Sequence, residues 1–297
     1  MSAPARLLLL SDIHLSRKRP YFHANWELML RAIAQMPAPD LVIVTGDLAL
    51  DGPSREDDLA FARAQLDRLP APWHAVPGNH DVGGNPPDAR GEHVVDEALR
   101  DAWLRHFAND FWSVDVPGWR LIGLDSLICG SGMAAEAKQA DFLDAAITSA
   151  QGRRIAVFMH KPLCQHDVLE TEMSTTCWFP STRELLQRHV REGRIQLLVS
   201  GHLHEARDRN VSGTRHLWLP GLAFVSDPAC EWQGSRGGRR RVGFVTAVMD
   251  ASPVLSWHEP NALLNIDIGN WLRTGGIGLY KPLASEDQPY PGLFPTL

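Results

Sequence analysis

The sequence lacks the features that would place it in several large classes of protein. In 297 residues no stretch approaches the roughly 20 consecutive apolar residues of a membrane-spanning helix. The apolar run near the N-terminus, Leu7 to Leu10, is too short for the hydrophobic part of a signal peptide. The formal net charge of -6 gives no overall attraction to nucleic acid or to an anionic membrane. We therefore expect a small-molecule partner rather than nucleic acid, and no membrane span.

Cysteine is also scarce. Cys129, Cys164, Cys177 and Cys230 have neither the CxxC spacing of a zinc site nor the density of a disulfide framework. We interpret them as reduced thiols and predict a cytoplasmic protein. Only Cys164 and Cys177 are close enough in sequence to leave a local bridge open.

Five segments share a pattern in which an apolar run ends on Asp or His. A run that is apolar throughout is typical of a strand buried on both faces. In open α/β sheets the functional crevice lies beyond the carboxyl ends of the strands, so we expect these endings to meet in one place. The segments are residues 6–12, 40–47, 119–125, 154–160 and 195–202.

Helical patterns fill the intervals, with Ser54 and Ser181 as predicted N-caps. Strand alternating with helix predicts an α/β protein with a largely parallel sheet covered by helices. After residue 204 there is no clear helical pattern, and strand-like pieces at about 214–219, 240–249 and 253–258 predict a second, mixed or antiparallel sheet packed on the first. The predicted helices are residues 23–36, 54–69, 93–108, 134–150 and 181–192.

The strand endings and the loops beside them carry side chains that bind metals. Carboxylate, imidazole and amide oxygen together suit divalent or trivalent Mn, Fe, Co or Zn, whereas a thiolate site would have used the cysteines. In an extended segment, residues two apart point to the same face, so Asp12 with His14, and His202 with His204, can each present two ligands to one pocket. The candidate residues are Asp12, His14, Asp47, Asn79, His80, Asp81, His160, His202 and His204.

Each candidate also has a purely structural interpretation. Asp12 and Asp47 could be helix N-caps, and Asn79 could belong to an ordinary turn. His160 could be a core histidine, and the last two histidines could lie on a strand edge. Such an interpretation requires all of these coincidences in one order along the chain, so we favour a metal site.

The ordered series D-x-H, GD, GNHD, H and GHxH resembles the calcineurin-like metallophosphoesterase superfamily, and the D-x-H opening is similar to its class III cyclic-nucleotide phosphodiesterase subgroup. The motifs run from residue 12 to residue 204, about two thirds of the chain. The resemblance implies a four-layer α/β/β/α sandwich of two mixed β-sheets flanked by helices. We accordingly interpret residues 1–259 as the metallophosphoesterase catalytic domain, and 260–297 as a C-terminal arm that packs on the body or on a neighbouring subunit.

The resemblance also implies a role for each candidate residue. Asp12, His14 and His204 would hold a first metal ion, and Asn79, His160 and His202 a second, with Asp47 bridging the two. His80, beside a ligand, would stabilise the phosphoryl oxygens or protonate the leaving alkoxide. Asp81 would orient His80.

The chain departs from the familiar pattern at the fourth motif, where many relatives carry two histidines and two prolines. Here the residues are His160, Lys161, Pro162 and Leu163. We expect Lys161 to face solvent, with contact to a substrate phosphate as the alternative. The basic run at 236–241 is interpreted as a solvated hairpin turn, with an anion-binding patch as the alternative.

The function implied by the resemblance is hydrolysis of a small phosphodiester, a cyclic nucleotide or a glycerophosphodiester, by a metal-activated hydroxide. The alternatives are a phosphomonoesterase or nucleotide pyrophosphatase on the same metals, a nuclease, and a non-catalytic scaffold. A homo-oligomer is left open.

Overall fold

The computed structural model describes residues 3–86, 93–174, 176–226 and 237–273, and these residues form two mixed β-sheets. The first sheet has the order β11-β10-β1-β2-β3, with β1, β2 and β3 parallel and β10 antiparallel to both neighbours. Its strands are β1 (Arg6–Leu10), β2 (Leu41–Val44), β3 (Trp73–Ala75), β10 (Phe244–Val248) and β11 (Val254–His258).

The second sheet has the order β4-β5-β6-β7-β9-β8, parallel from β5 to β9 and antiparallel at both edges. Its strands are β4 (Trp112–Val116), β5 (Trp119–Gly123), β6 (Arg154–Met159), β7 (Leu197–Ser200), β8 (Arg207–Val211) and β9 (Thr214–Trp218).

Helices cover the outer face of each sheet. Three pack on the first sheet, namely α1 (His23–Ile33), α2 (Glu56–Leu66) and α4 (Glu97–Phe107). Two pack on the second, α5 (Ala134–Thr148) and α6 (Glu184–Arg191). The remaining helices are the single turn α3 (Asn79–Val82) and the short α7 (Ile268–Arg273).

The apolar runs form strands because both of their faces are buried. In β1, Leu8 and Leu10 pack with the first helical layer, while Leu7 and Leu9 pack against the second sheet. Each such side chain contributes about 1.5–3 kcal/mol of burial free energy. The predicted four-layer α/β/β/α sandwich is confirmed, since one apolar core lies between the sheets and another lies under each helical layer.

The five predicted strands and five predicted helices are present with shortened ends, but several finer predictions are wrong. The strands after residue 204 do not form a sheet of their own, because β8 and β9 extend the second sheet while β10 and β11 extend the first. Neither Ser54 nor Ser181 caps a helix: α2 begins after Arg55 and α6 after Arg183. The strands β3, β4 and β8 and the helix α7 were not predicted.

Cys129, Cys164 and Cys177 form no disulfide, as predicted, so the local bridge left open between the last two is not formed; all three are buried. Cys230 lies outside the described residues, and the cytoplasmic location stays a prediction. Within the described ranges no helix is both long and apolar enough to cross a bilayer.

Part of the predicted C-terminal arm, residues 260–273, is described and lies on the body. Leu263 is buried in the apolar core between the first sheet and its helices. Asn25 of α1 exchanges hydrogen bonds with the backbone of Leu264 at 2.8 and 2.9 Å. Residues 274–297 lie outside the described residues, so the division at residue 259 stays a prediction.

Candidate metal centre

The predicted ligands stand just beyond the strand ends on unusual backbone. β1 ends at Leu10 and β7 at Ser200. Non-glycine residues rarely adopt a positive φ, and such residues cluster at functional sites. Five predicted ligands have φ values between 47° and 69°: Asp12, His14, Asp47, His202 and His204.

This backbone corrects one step of the sequence argument. Extended segments would place Asp12 with His14, and His202 with His204, on a shared face. Both segments are instead kinked into the left-handed region at each ligand. Hydrogen bonds between motifs hold the first kink, since the amides of Asp12 and His14 donate to the carbonyls of Gly46 and Asp47 at 3.1 and 3.0 Å.

Four glycines leave the space that the ligand side chains occupy. A Cβ on Gly78 would stand 2.2 Å from Oδ1 of Asp47, and one on Gly221 would stand 2.3 Å from Nδ1 of His204. No real Cβ approaches that closely, so larger residues would displace the ligands. The glycines are Gly46, Gly78, Gly201 and Gly221.

One group of ligand atoms belongs to Asp12, His14 and His204, all within 4.8 Å of one another, and we call it the first half. Nε2 of His204 lies 3.3 Å from Oδ1 of Asp12. Nδ1 of His204 donates to the carbonyl of Phe224 at 2.8 Å, because a carbonyl can only accept, and this leaves Nε2 to bind a cation. In the described part of the chain, neither ring nitrogen of buried His14 has a hydrogen bond.

The second half comprises His160, His202 and Asn79. Nε2 of His160 lies 3.1 Å from Oδ1 of Asn79 and 3.1 Å from Nδ1 of His202. Nδ1 of His160 donates to the carbonyl of Thr45 at 2.8 Å, which again directs Nε2 into the site.

Asp47 stands between the halves. Its Oδ2 is 3.6 Å from Nε2 of His14 and 3.3 Å from Nε2 of His160. Its Oδ1 accepts the backbone N–H of His80 at 2.9 Å. One carboxylate oxygen thus reaches both groups, as a bridging ligand would.

Burial and mutual charge set the protonation of this cluster. Burial would raise the pKa of Asp47, but His160 and His80 outweigh it and hold that pKa well below its usual range. Burial and neighbouring His80 hold the pKa of His14 well below its usual value, and burial and His160 do the same for His202. Ionised carboxylate beside neutral imidazole is the form in which these side chains bind metals.

His160 and His204 are the exceptions. Burial would lower the pKa of His204, but Asp12 outweighs burial and raises it above its usual value. The effect at His160 has the same cause. Burial would lower its pKa, but Asp47 and Asp12 outweigh burial and raise the pKa to about 9. A protonated imidazole cannot be a ligand, so a cation bound by His160 would displace a proton.

The donor set, the cradle of glycines and the buried nitrogens of His14 all fit a pair of metal ions. A family model described as calcineurin-like phosphoesterase matches residues 5–206. The chain belongs to this family.

Two relatives and one solved structure illustrate its place in the family. The 3′,5′-cyclic adenosine monophosphate phosphodiesterase CpdA of Pseudomonas aeruginosa is 27% identical over 236 residues, which cover 76% of this chain and 79% of that protein. A probable glycerophosphodiester phosphodiesterase GpdQ of Arcobacter nitrofigilis is 29% identical over 162 residues, 51% of this chain and 55% of that protein. A dimetal phosphatase from Danio rerio shares the fold, with a TM-score of 0.57 at 16% identity over 87% of this chain and 97% of its own.

The family motif GNHD contains the two residues that were predicted to act beside the metals. His80 is partly exposed, and its ring lies 4.5 Å from that of His14, centre to centre. Asp81 does not orient His80 as expected. Its buried carboxylate accepts the amides of Leu48, Ala49 and Gly78, whereas Nδ1 of His80 donates to the carbonyl of Leu50 at 2.8 Å. Asp81 therefore fixes the backbone beside Asp47.

Lys161, in the fourth family motif, was predicted to face solvent. This prediction is wrong, because Lys161 is 1% exposed. Its backbone is held on both sides: the amide donates to Ser126 Oγ at 3.1 Å, and the carbonyl accepts from Trp178 Nε1 at 3.0 Å. Its positive charge helps to lower the pKa of His202. A cation therefore lies beside the second half where many relatives have an imidazole.

The basic run is not simply a solvated turn, because its described arginines are paired. Arg240 is hydrogen-bonded to Glu205, which is fully buried next to His204. Arg239 and Arg241 both pair with Glu259. Arg236 lies outside the described residues.

Sequence reasoning missed the residues that hold the ligands. The Thr45 hydroxyl donates to Ser11 Oγ at 2.8 Å, and Ser11 donates to Oδ2 of Asp12 at 2.5 Å. Ser11 and Thr45 stand inside the motifs, so their hydroxyls could have been noticed. The carbonyls of Leu50 and Phe224 leave no signal in a sequence, because every residue has one.

Proposed function

We propose that this chain is a metal-dependent phosphodiesterase acting on a small phosphodiester, a cyclic nucleotide or a glycerophosphodiester. The observation that carries the proposal is the position of Asp47, whose one carboxylate oxygen reaches ligands of both halves. The names of the curated relatives, a cyclic AMP phosphodiesterase and a probable glycerophosphodiester phosphodiesterase, support the diester substrate.

The geometry supports the ligand roles that the resemblance implies. Asp12, His14 and His204 would hold one ion, and Asn79, His160 and His202 another, with Asp47 shared. Mn, Fe, Zn or Co suits this donor set. When bound, two such ions would supply Lewis acidity toward the phosphoryl oxygens and lower the pKa of water, so that hydroxide is available as the nucleophile at neutral pH.

His80 is placed to handle a proton on the substrate side. Its Nδ1 donates to the Leu50 carbonyl, so this nitrogen keeps its proton and fixes the ring. Nε2 can then give a proton to the leaving oxygen, or a hydrogen bond to a phosphoryl oxygen, from the imidazolium form of the ring, in which both nitrogens carry a hydrogen. Because His80 and two of the proposed ligands, Asn79 and His202, are partly exposed, substrate can approach from their side.

A hydrolysis panel with added Mn tests the proposal. The substrates are bis(p-nitrophenyl) phosphate, cyclic AMP, glycerophosphocholine and the monoester p-nitrophenyl phosphate, and turnover of a diester above that of the monoester is expected. Monoester turnover alone would indicate a phosphomonoesterase, and no turnover with any metal would indicate a scaffold. The cytoplasmic location and a homo-oligomer stay predictions.

A further inference from the structure

Four aromatic rings extend outward from the first half. Phe224 stacks on His204 with ring centres 4.0 Å apart and lies 4.9 Å from the ring of His14. Phe22 contacts both Phe224 and Trp271, at 5.0 and 5.4 Å. Tyr21 and Trp271 meet edge to face at 5.4 Å. We call these four rings the aromatic cluster: Tyr21, Phe22, Phe224 and Trp271.

Three distant parts of the chain build this cluster. Two rings immediately precede α1, Phe224 lies beyond β9, and Trp271 stands on α7, outside the part matched by the family model. The amide of Val225 donates to the carbonyl of Ile266 at 2.9 Å, and the amide of Ile268 donates back to Val225 at 3.2 Å. The segment whose Phe224 carbonyl orients His204 therefore also positions Trp271.

Asn25 locks the same three segments together. Its side-chain amide donates to the carbonyls of Leu222, Ala223 and Leu264, at 3.0, 3.1 and 2.9 Å. The side chain is 1% exposed, so water does not compete for these bonds. The aromatic cluster therefore forms a wall whose supporting segments are joined to one another by hydrogen bonds.

Part of the wall is exposed, and Leu50, which packs on it, also contacts His80. Tyr21 and Phe22 are buried, whereas Phe224, Trp271 and Leu50 are partly exposed and pack on the cluster. The carbonyl of Leu50 is the group that orients His80. If His80 protonates the leaving oxygen, the group attached to that oxygen is beside this wall.

We propose that the aromatic cluster binds the nucleobase of a cyclic nucleotide and thereby selects a nucleoside diester as substrate; this inference rests on the proposed function. An aromatic face stacks on any planar base, whereas glycerol and ethanolamine carry no ring. The choline of glycerophosphocholine is the alternative, because a quaternary cation also binds ring faces.

A pair of substrates that differ only in the base tests the inference. The full-length protein is assayed on cyclic AMP and on 1-deoxyribose 3′,5′-cyclic phosphate, which has the same diester ring and no base. Wild type is expected to prefer cyclic AMP by about 5- to 100-fold in kcat/KM, the range that one stacked base provides. Trp271→Leu should abolish most of this preference through KM, with kcat/KM on the base-free diester and the metal content unchanged.

Three further variants separate ring contact from stability. Trp271→Tyr keeps an aromatic face and should retain most of the preference. Trp257→Leu removes a half-buried tryptophan from β11, which packs between the sheets and outside the cluster, and should leave the preference intact. Phe22→Leu removes the buried ring that supports Phe224 and Trp271, so it should also weaken the preference, even if Trp271→Leu proves unstable.

Several results would overturn the inference. Hydrolysis of both diesters without a preference in wild type would overturn it alone, as would equal losses on both substrates in Trp271→Leu and Phe22→Leu. A loss confined to glycerophosphocholine would assign the wall to choline instead. Turnover of no diester would overturn the proposed function and this inference together.

Discussion

The two halves of the candidate metal centre differ in how their imidazoles are held. In the second half, His160 has a partner at each nitrogen, Thr45 at Nδ1 and Asn79 with Asp47 at Nε2. In the first half, the buried imidazole of His14 makes no hydrogen bond within the described structure and is packed by the rings of Phe224 and His80.

This difference shows which half depends more on a cation. A buried polar group with no hydrogen bond costs about 1–3 kcal/mol, and a metal ion at His14 would offset that cost. The second half has already satisfied its polar atoms. In both halves metal binding must also act against a raised histidine pKa, that of His204 in the first half and that of His160 in the second. We therefore expect a substitution near one half to change the metal affinity of that half alone. A substitution of the shared ligand Asp47 should change the metal affinity of both.

The largest effect is expected at Asp47, since this residue serves both halves. Asp47→Asn should lower the content of both metals and the activity together, because an amide supplies no negative charge between two cations. Metal analysis after gel filtration, with circular dichroism to check the fold, measures this. Two ions still bound in Asp47→Asn would remove the bridging assignment.

The next effect separates chemistry from metal binding. His80→Ala should leave the metal count near wild type while kcat falls by about 10²- to 10⁴-fold, the range for a positioned acid or base. If His80 is the acid, the loss should be greater for an alkyl leaving group than for p-nitrophenolate, which leaves as a stable anion. Equal losses on both would favour stabilisation of the phosphoryl oxygens. A lost metal would mean that His80 is a ligand.

A smaller effect should distinguish the halves directly. Ser11 hydrogen-bonds the Asp12 carboxylate, so Ser11→Ala should weaken one metal by about 10-fold and leave the other unchanged. Ser16→Ala is the matched control, since Ser16 also donates a short hydrogen bond to a buried carboxylate, that of Asp58, which is not a predicted ligand. Titration calorimetry of the metal-free protein measures both affinities. Similar weakening of both ions would show that the halves are not independent.

The smallest effect is expected at His216, which lies outside the candidate metal centre. It concerns how the free energy of unfolding depends on pH. Burial first, then Arg207 and Arg209, lower the pKa of His216 to about 4. The unfolded chain takes up this proton near pH 6.5, whereas the folded chain takes it up only near pH 4. The contribution of His216 to the free energy of unfolding is therefore fully present above pH 6.5 and is lost as the pH drops toward 4. The loss is at most roughly 3 kcal/mol.

His216→Gln should flatten that dependence by about one proton without changing metal content. Urea unfolding of the variant and of wild type at several pH values between 4 and 7 measures the slope. An unchanged slope would show that His216 is already protonated in the folded protein or is not responsible.

The metal-binding side chains could be predicted from the sequence, whereas the backbone groups that orient them could not. His160 and His204 were identifiable as ligands because each stands in a short motif after an apolar run. The groups that orient them, the carbonyls of Thr45 and Phe224, were not, because a backbone carbonyl carries no residue-specific mark. Lys161 was misjudged for a related reason, since whether a lysine is buried depends on packing around residue 161 from other segments.

The sequence by itself determined the ligand types, their order and the strands that precede them, because side-chain chemistry and hydrophobic periodicity are local properties. Only the tertiary structure decided that Asp12 and His14 sit on left-handed backbone, that strands after residue 204 divide between two sheets, and that Trp271 packs on Phe22 in the aromatic cluster beside the first half. Each of these depends on hydrogen bonds and packing between segments far apart in the chain, and such pairings leave no pattern in any one segment.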